Sequence, residues 1–162
     1  MFSPAIFTAA FLLSTFATSS PVAVRQAEAY QIRGVSDPIY HLYLQAQADD
    51  PSVPVLGAEA SGDTFYITDT IQSAGTGLYL NIVPDDSVSY KTLVFEETST
   101  TTAWGLEGDT IITTTGSEYG RQLNFVVCEA TAGQFKLFLQ TGADVPEGTC
   151  SNFLTIHLPC LC

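Results

Sequence analysis

The residues with the clearest potential for chemistry are four cysteines, all within the last 35 of the 162 residues. They are Cys128, Cys150, Cys160 and Cys162. An even number of cysteines in an oxidising compartment indicates disulfide bonds, and four cysteines permit three pairings. Cys128 falls at the end of a predicted strand, and Cys150 precedes the strand expected to lie beside it. A Cys128–Cys150 bridge is therefore one candidate.

That pairing leaves a Cys160–Cys162 bridge, which is strained because extended i,i+2 positions approach the Cα limit of roughly 7 Å. In the other two pairings, Cys128 and Cys150 each bond to one of the two C-terminal cysteines, Cys160 and Cys162. Thiolate and imidazole groups also bind zinc and copper, so the Cys-Leu-Cys tail with His157 could hold a metal ion. In an oxidising compartment disulfides are the preferred interpretation. We predict no metal site and no bound cofactor.

The remaining ionisable residues form no recognisable catalytic motif. The two histidines, His41 and His157, are expected to face solvent, and no Gly-x-Ser-x-Gly nucleophile elbow is present. Paired carboxylates could in principle hydrolyse a glycoside, but neighbouring residues on a strand point to opposite faces. We interpret Asp49-Asp50, Asp85-Asp86 and Glu96-Glu97 as solvated acids of turns, and we predict that the protein is not an enzyme.

Three aromatic side chains are candidates for ligand binding. Trp104, the only tryptophan, could form an exposed platform for a sugar ring or fill the core at the foot of a strand. The core interpretation is favoured because Gly105 and Gly108 indicate a tight turn around it. Tyr43 and Tyr79 are the other two candidates. The repeated Gln-x-Trp of ricin-type carbohydrate modules does not occur in the sequence.

A repeated segment indicates how these residues are positioned. HLYLQAQADD starts at His41, GLYLNIVPDD starts at Gly77, and a weaker copy, QLNFVVCE, starts at Gln122. Short runs with period-two alternation follow each copy, which is typical of β-strands separated by turns. The predicted strands are 39–47, 64–68, 77–83, 90–95, 103–106, 109–114, 121–128, 134–140 and 153–158.

Three units, near 39–76, 77–120 and 121–160, account for the repetition. Each has about four short strands and an aromatic strand, marked in turn by Phe65, Trp104 and Phe153. This pattern predicts an all-β fold of the β-trefoil type, with a β-sandwich as the alternative. The leucines of Leu-Tyr-Leu are then expected to point into the barrel. Tyr43 and Tyr79 are expected to face outward or to lie under a loop.

The N-terminus has the features of a secretory signal peptide. An apolar run followed by small residues predicts a leader over residues 1–19, cleaved after Ser19. The run is too short to cross a membrane, which takes roughly 20 residues. Residues 20–37 are interpreted as a leader or flexible N-terminal arm, with a second candidate cut after Arg25. Residues 38–162 are interpreted as a single all-β domain.

The charge balance excludes two classes of partner. Five Lys and Arg stand against seventeen Asp and Glu, a formal net charge of −12. So acidic a chain repels nucleic acid and anionic membrane surfaces. The sequence therefore predicts a secreted, acidic protein without a nucleic-acid or membrane partner.

Several features of the second half occur together: Trp104 before an apolar strand pair, a strand ending in Cys128, an aromatic strand over 135–139, and Thr-Gly and Gly-Thr-Cys at 141–142 and 148–150. Over residues 100–156 the chain in this respect resembles small secreted proteins of filamentous fungi, in particular the PhiA-type cell-wall proteins. It differs from them in lacking an N-terminal cysteine and in adding the Cys-Leu-Cys tail. The resemblance implies an extracellular or wall-associated protein without catalytic residues.

Two functions follow as expectations. The first is a secreted, non-enzymatic structural or surface protein associated with the cell wall. The alternative is an extracellular binding module or effector that recognises a glycan or a host protein. The expected partners are accordingly a cell-wall polysaccharide or an extracellular protein.

Overall fold

The computed structural model describes residues 28–131 and 133–159, which are almost entirely β-structure. Within these ranges, one turn of 3-10 helix, Glu59–Ser61, stands among thirteen strands. The strands are β1 Arg33–Gly34, β2 Tyr43–Ala46, β3 Pro54–Gly57, β4 Phe65–Ile67, β5 Ile71–Ser73, β6 Tyr79–Ile82, β7 Tyr90–Glu96, β8 Trp104–Glu107, β9 Thr110–Thr113, β10 Phe125–Glu129, β11 Phe135–Gln140, β12 Cys150–Leu154 and β13 Ile156–His157. The all-β prediction is confirmed.

The described strands belong to one antiparallel hydrogen-bonded network that curls into a nearly closed barrel. Its order is β4-β5-β6-β7-β11-β3-β2-β1-β13-β9-β8, and β10 pairs with β11 and β12. The two ends of this order meet where the backbone N–H of Trp104 in β8 donates to the Asp69 carbonyl, 3.1 Å away, in the turn after β4. Closure encloses the main apolar core, and a second, smaller cluster of Val126, Cys128 and Phe138 packs apart from it.

Three hairpins occupy equivalent places in the three sequence repeats. They are β2–β3, β6–β7 and β10–β11, and each starts at a copy of the repeated segment. Equivalent pairs face each other across them: Leu44 and Leu56, Leu80 and Phe95, Phe125 and Leu139. The second strands also meet, since β11 pairs with both β3 and β7. The fold therefore accounts for the repetition without a repeated ligand, while the threefold trefoil arrangement itself stays a prediction.

The repeated apolar residues enter the core as the alternation predicts. Leu44 and Leu80 are buried, and Phe125 takes the same place in the weaker copy. Tyr43 is also buried, at 5% exposure, beneath the loop after β3. A Cβ placed on Gly62 would stand only 2.8 Å from the Tyr43 Cβ, so this loop needs glycine in order to lie against the tyrosine.

The N-terminal boundary differs from the sequence interpretation. The described part of the expected arm, residues 28–37, contributes β1 and the fully buried Ile32. The backbone of Tyr30 also exchanges hydrogen bonds of 2.8 and 2.9 Å with Phe65. The sequence gives no sign of this because a two-residue strand is too short to show alternation. The predicted signal peptide and both candidate cleavage sites lie outside the described residues.

The Cys128–Cys150 disulfide is confirmed. The two residues are register partners in the β10–β12 pair, with a Cα–Cα distance of 4.0 Å and a sequence separation of 22. The bridge therefore encloses the whole of β11. Cys160 and Cys162 lie outside the described residues, so their pairing stays a prediction.

Removing this bridge should destabilise the fold. We expect Cys128→Ala/Cys150→Ala to lower the free energy of unfolding by about 3 kcal/mol, because the unfolded chain regains the entropy of an open loop. Urea unfolding of the double variant and of the oxidised wild type measures the difference. Wild type under a reducing agent is the control and should show the same loss. An unchanged unfolding midpoint in the double variant would contradict the expectation.

Candidate functional site

Two of the three predicted ligand-binding aromatics belong to the core. Trp104 is 1% exposed, and its indole N–H donates to the Leu80 carbonyl at 2.9 Å, which satisfies its one polar atom. Tyr43 lies beneath the loop that contains Gly62. Tyr79 is half-buried on β6 and is the one of the three that reaches the surface.

The histidines lie in different surroundings. His41 is exposed, as expected, and its ring packs on the exposed Tyr40 with 4.2 Å between ring centroids. His157, also expected to face solvent, is half-buried, with its Nδ1 3.2 Å from Asp109 Oδ1. That contact ties β13 to the turn before β9. Among the described residues, no group of three or more His, Cys, Asp or Glu side chains could hold a metal ion.

Two adjoining clefts form the candidate site. Both are lined by Glu118 and Tyr119, and we call them together the Tyr119 groove. The first cleft, of about 250 Å³, is lined further by Thr100, Thr101, Thr102, Ala103, Thr114, Gly116 and Ser117. The second, of about 270 Å³, is lined further by Pro84, Asp85, Asp86, Lys91, Gln122 and Thr141.

Asn81 holds one wall of the first cleft from inside the protein. Its side chain is 1% exposed, and its Oδ1 accepts hydrogen bonds from the N–H groups of Thr100 and Thr101 at 3.0 and 3.2 Å. Its Nδ2 donates to the Thr98 carbonyl and to Glu96 Oε2, both at 2.8 Å. The carboxamide thus uses both its donors and both its acceptor positions to fix the loop that leads into β8.

Hydrogen bonds to β9 fix the opposite wall. Thr113 Oγ1 donates to the Gly120 carbonyl at 2.7 Å, and Gln122 Nε2 donates to the Tyr119 carbonyl at 2.9 Å. Gly120 has a φ of 63°, in the left-handed region that glycine adopts without strain. The loop that carries Tyr119 is therefore tied down at its C-terminal end.

A buried lysine lies under the second cleft. Lys91 is 9% exposed, and its Nζ donates to the backbone carbonyls of Asp85 and Val88. The loop above it is shaped further by Asp85 Oδ1, which accepts hydrogen bonds from the Ser87 hydroxyl at 2.6 Å and the Ser87 N–H at 2.8 Å. The same two bonds lower the pKa of Asp85, so this carboxylate is ionised at neutral pH.

Tyr119 has an altered ionisation. Burial raises the pKa of Tyr119 to about 12, and the neighbouring carboxylates of Glu118 and Asp86 act in the same direction. The phenol is uncharged at neutral pH, as an unperturbed tyrosine is, and the acidic residues around it favour this form further. Sequence reasoning missed Tyr119, because the segment around it shows only the Ser, Thr and Gly composition of a loop.

Phe153 is a second residue whose position the sequence does not reveal. It is 64% exposed and has a φ of 56°, a backbone conformation that is unfavourable for a bulky side chain. Its N–H donates to Oε1 of the buried Gln140 at 2.8 Å, which fixes it there. The register between β10 and β12 also shifts between Phe125 and Val127, in the strand beside it. In the repeat pattern Phe153 corresponds to the buried Phe65 and Trp104.

Comparison of the chain with protein-family models, curated proteins and solved structures finds no match. In the part of the chain that the structure describes, no helix is long and apolar enough to cross a membrane.

Replacing Asn81 should cost more stability than replacing Gln45, the amide at the equivalent repeat position. In Asn81→Ala the N–H groups of Thr100 and Thr101 lose their acceptor, at about 1–3 kcal/mol per unsatisfied buried group, so we expect a loss of about 3 kcal/mol. Gln45 Nε2 donates to two backbone carbonyls at longer distances, 3.1 and 3.3 Å, which makes Gln45→Ala the matched control. Urea unfolding of both variants provides the test, and equal losses would contradict the role given to Asn81.

Stability should fall as the pH rises from about 10 to about 12. The folded protein holds the Tyr119 proton more tightly than the unfolded chain, whose tyrosine pKa is about 10. Below about pH 10 both states are protonated; above it the unfolded state loses its proton first and is favoured. Melting temperatures across this window should decline less in Tyr119→Phe than in wild type. Identical declines would show that Tyr119 does not contribute.

Proposed function

We propose that this chain is a secreted, non-enzymatic structural or surface protein associated with the cell wall. The observation that carries the proposal is the Cys128–Cys150 disulfide between the paired strands β10 and β12. Structural disulfides form and persist in oxidising, extracellular compartments. The signal-peptide pattern of the N-terminus and the resemblance to PhiA-type wall proteins support the same setting.

The ionisation of the surface carboxylates supports a non-catalytic role. Hydrogen bonds from neighbouring serines lower the pKa of Asp50, Asp85 and Asp144. A general acid that works at neutral pH needs the opposite, a pKa raised toward the working pH. Asp50 and Asp85 shape turns through the serine two residues further on, whereas Asp144 joins its loop to Ser89. All three give the surface negative charge.

A second candidate function is an extracellular binding module or effector that recognises a glycan or a host protein. The observation that favours it is the Tyr119 groove, whose two walls are fixed by hydrogen bonds that Asn81 accepts and Thr113 donates. Ligand sites are typically concave, with polar groups that converge on the ligand. Rigid walls also reduce the entropy that is lost when a ligand binds.

Fractionation of a filamentous fungus that expresses the full-length chain tests the proposed function. We expect the protein in the medium and in the wall fraction, with a mature N-terminus after Ser19, as read by N-terminal sequencing. The matched control lacks residues 2–19 and should stay in the cytosol. Equal cytosolic retention of the two proteins would overturn the proposal.

A further inference from the structure

We propose that the Tyr119 groove binds an uncharged oligosaccharide. The inference deepens the proposed function and rests on its extracellular setting, where such polymers occur. Each cleft alone is somewhat smaller than an ordinary small-molecule site, which measures roughly 300–1,000 Å³, and the two together fall within that range. An elongated ligand that passes Tyr119 would occupy both clefts.

The lining of the first cleft matches a ligand that is rich in hydroxyl groups. Thr100, Thr102, Thr114 and Ser117 place side-chain hydroxyls along it. A hydroxyl can donate one hydrogen bond and accept two, as the hydroxyls of a sugar also can. The Ser117 hydroxyl already donates to the Thr114 carbonyl at 2.7 Å, so it offers a ligand its acceptor positions. An apolar ligand would leave these groups without partners and would pay their desolvation cost. The lining therefore favours a polyhydroxylated ligand.

The second cleft adds strong acceptors. Asp85 and Asp86 line it, and Glu118 stands where it joins the first cleft. A carboxylate accepts hydrogen bonds from hydroxyl groups that are shorter and stronger than those between neutral partners. Two adjacent hydroxyls of a sugar ring can bind the two oxygens of one carboxylate. The cleft thus has acceptors suited to the hydroxyl donors of a saccharide.

The charge of the groove excludes acidic saccharides. Its carboxylates and the net charge of −12 repel uronic acids and phosphorylated glycans. Lys91 does not reverse this effect, since it is 9% exposed and its ammonium group donates to two backbone carbonyls. Among saccharides, the uncharged ones fit the remaining requirements.

Tyr119 supplies an aromatic surface at the junction of the two clefts. Its ring stays uncharged at neutral pH and is half-buried, so its position is restricted before a ligand arrives. Tyrosine combines an apolar ring with a polar hydroxyl. It can therefore contact the C–H face of a sugar ring while neighbouring side chains bind the hydroxyls.

The inference can be tested by NMR. Oligosaccharide is titrated into the oxidised, secreted protein, and the backbone amide chemical shifts are recorded. The probes are neutral hexasaccharides of β-1,3-glucan, chitin and mannan. We expect at least one of them to shift amides of residues 84–86, 100–103 and 114–119. No shift with any of the three at millimolar concentration, or shifts confined to other surfaces, would overturn the inference.

Variants separate the groove from other exposed aromatics. Tyr119→Ala should weaken binding of the active hexasaccharide at least tenfold. Asp86→Asn, which conserves side-chain size, should weaken it severalfold. The matched control is Tyr40→Ala, which removes a tyrosine that is 58% exposed outside the groove and should bind like wild type. Wild-type affinity in both groove variants, or an equal loss in the control, would overturn the inference.

A glucosamine hexamer with protonated amines tests whether the acidic groove binds saccharides through charge attraction alone. Binding of this cationic probe without binding of any neutral probe would overturn the inference. The result is separable from the proposed function, because wall fractionation of wild type does not depend on the oligosaccharide titration. A protein that reaches the wall fraction but binds none of the neutral hexasaccharides refutes the groove ligand alone.

Discussion

The polar contacts of Trp104 hold the barrel together where the two ends of its sheet meet. Its backbone N–H bonds the turn after β4, and its indole N–H bonds the backbone of β6. β8 is thereby fixed against strands that precede it by more than twenty residues. Because Trp104 is almost fully buried, these bonds are sheltered from water and each polar atom has a partner. The loops on either side of β8 and β9 owe their positions to this closure.

The Tyr119 groove follows from that closure and from one specialised repeat. The residue after Leu-Tyr-Leu is Gln45 in the first unit and Asn81 in the second, and Val126 stands there in the weak third copy. Of these three residues, Asn81 alone combines two donated and two accepted hydrogen bonds. These bonds fix the loop before β8, which forms one wall of the groove. The sequence segment thus occurs in three copies, whereas this polar anchor belongs to the second copy alone. Because this anchor occurs in one copy of the segment, the groove forms once although the sequence pattern is repeated.

The charges of the surface support the proposed binding role. Serine partners keep exposed aspartates ionised, and burial keeps Tyr119 protonated, so these groups do not exchange protons near neutral pH. The Lys91 charge is directed to backbone carbonyls beneath the second cleft. The result is an acidic surface with a neutral aromatic ring at the centre of its groove. Such a surface suits uncharged, hydroxyl-rich ligands and repels anionic ones.

Alternation and cysteine spacing are local signals, so the sequence predicts the all-β class, most strands of four or more residues, and Cys128–Cys150 as a candidate disulfide. It does not reveal β1 and β5, which are too short for alternation, or β3, which begins at a proline and is buried throughout. The exposure of Tyr119 and Phe153 and the burial of Trp104 depend on long-range packing and are visible in the folded structure alone. The residues that line the groove range from 84 to 141 in the sequence. They come together because the barrel closes through contacts between distant parts of the chain.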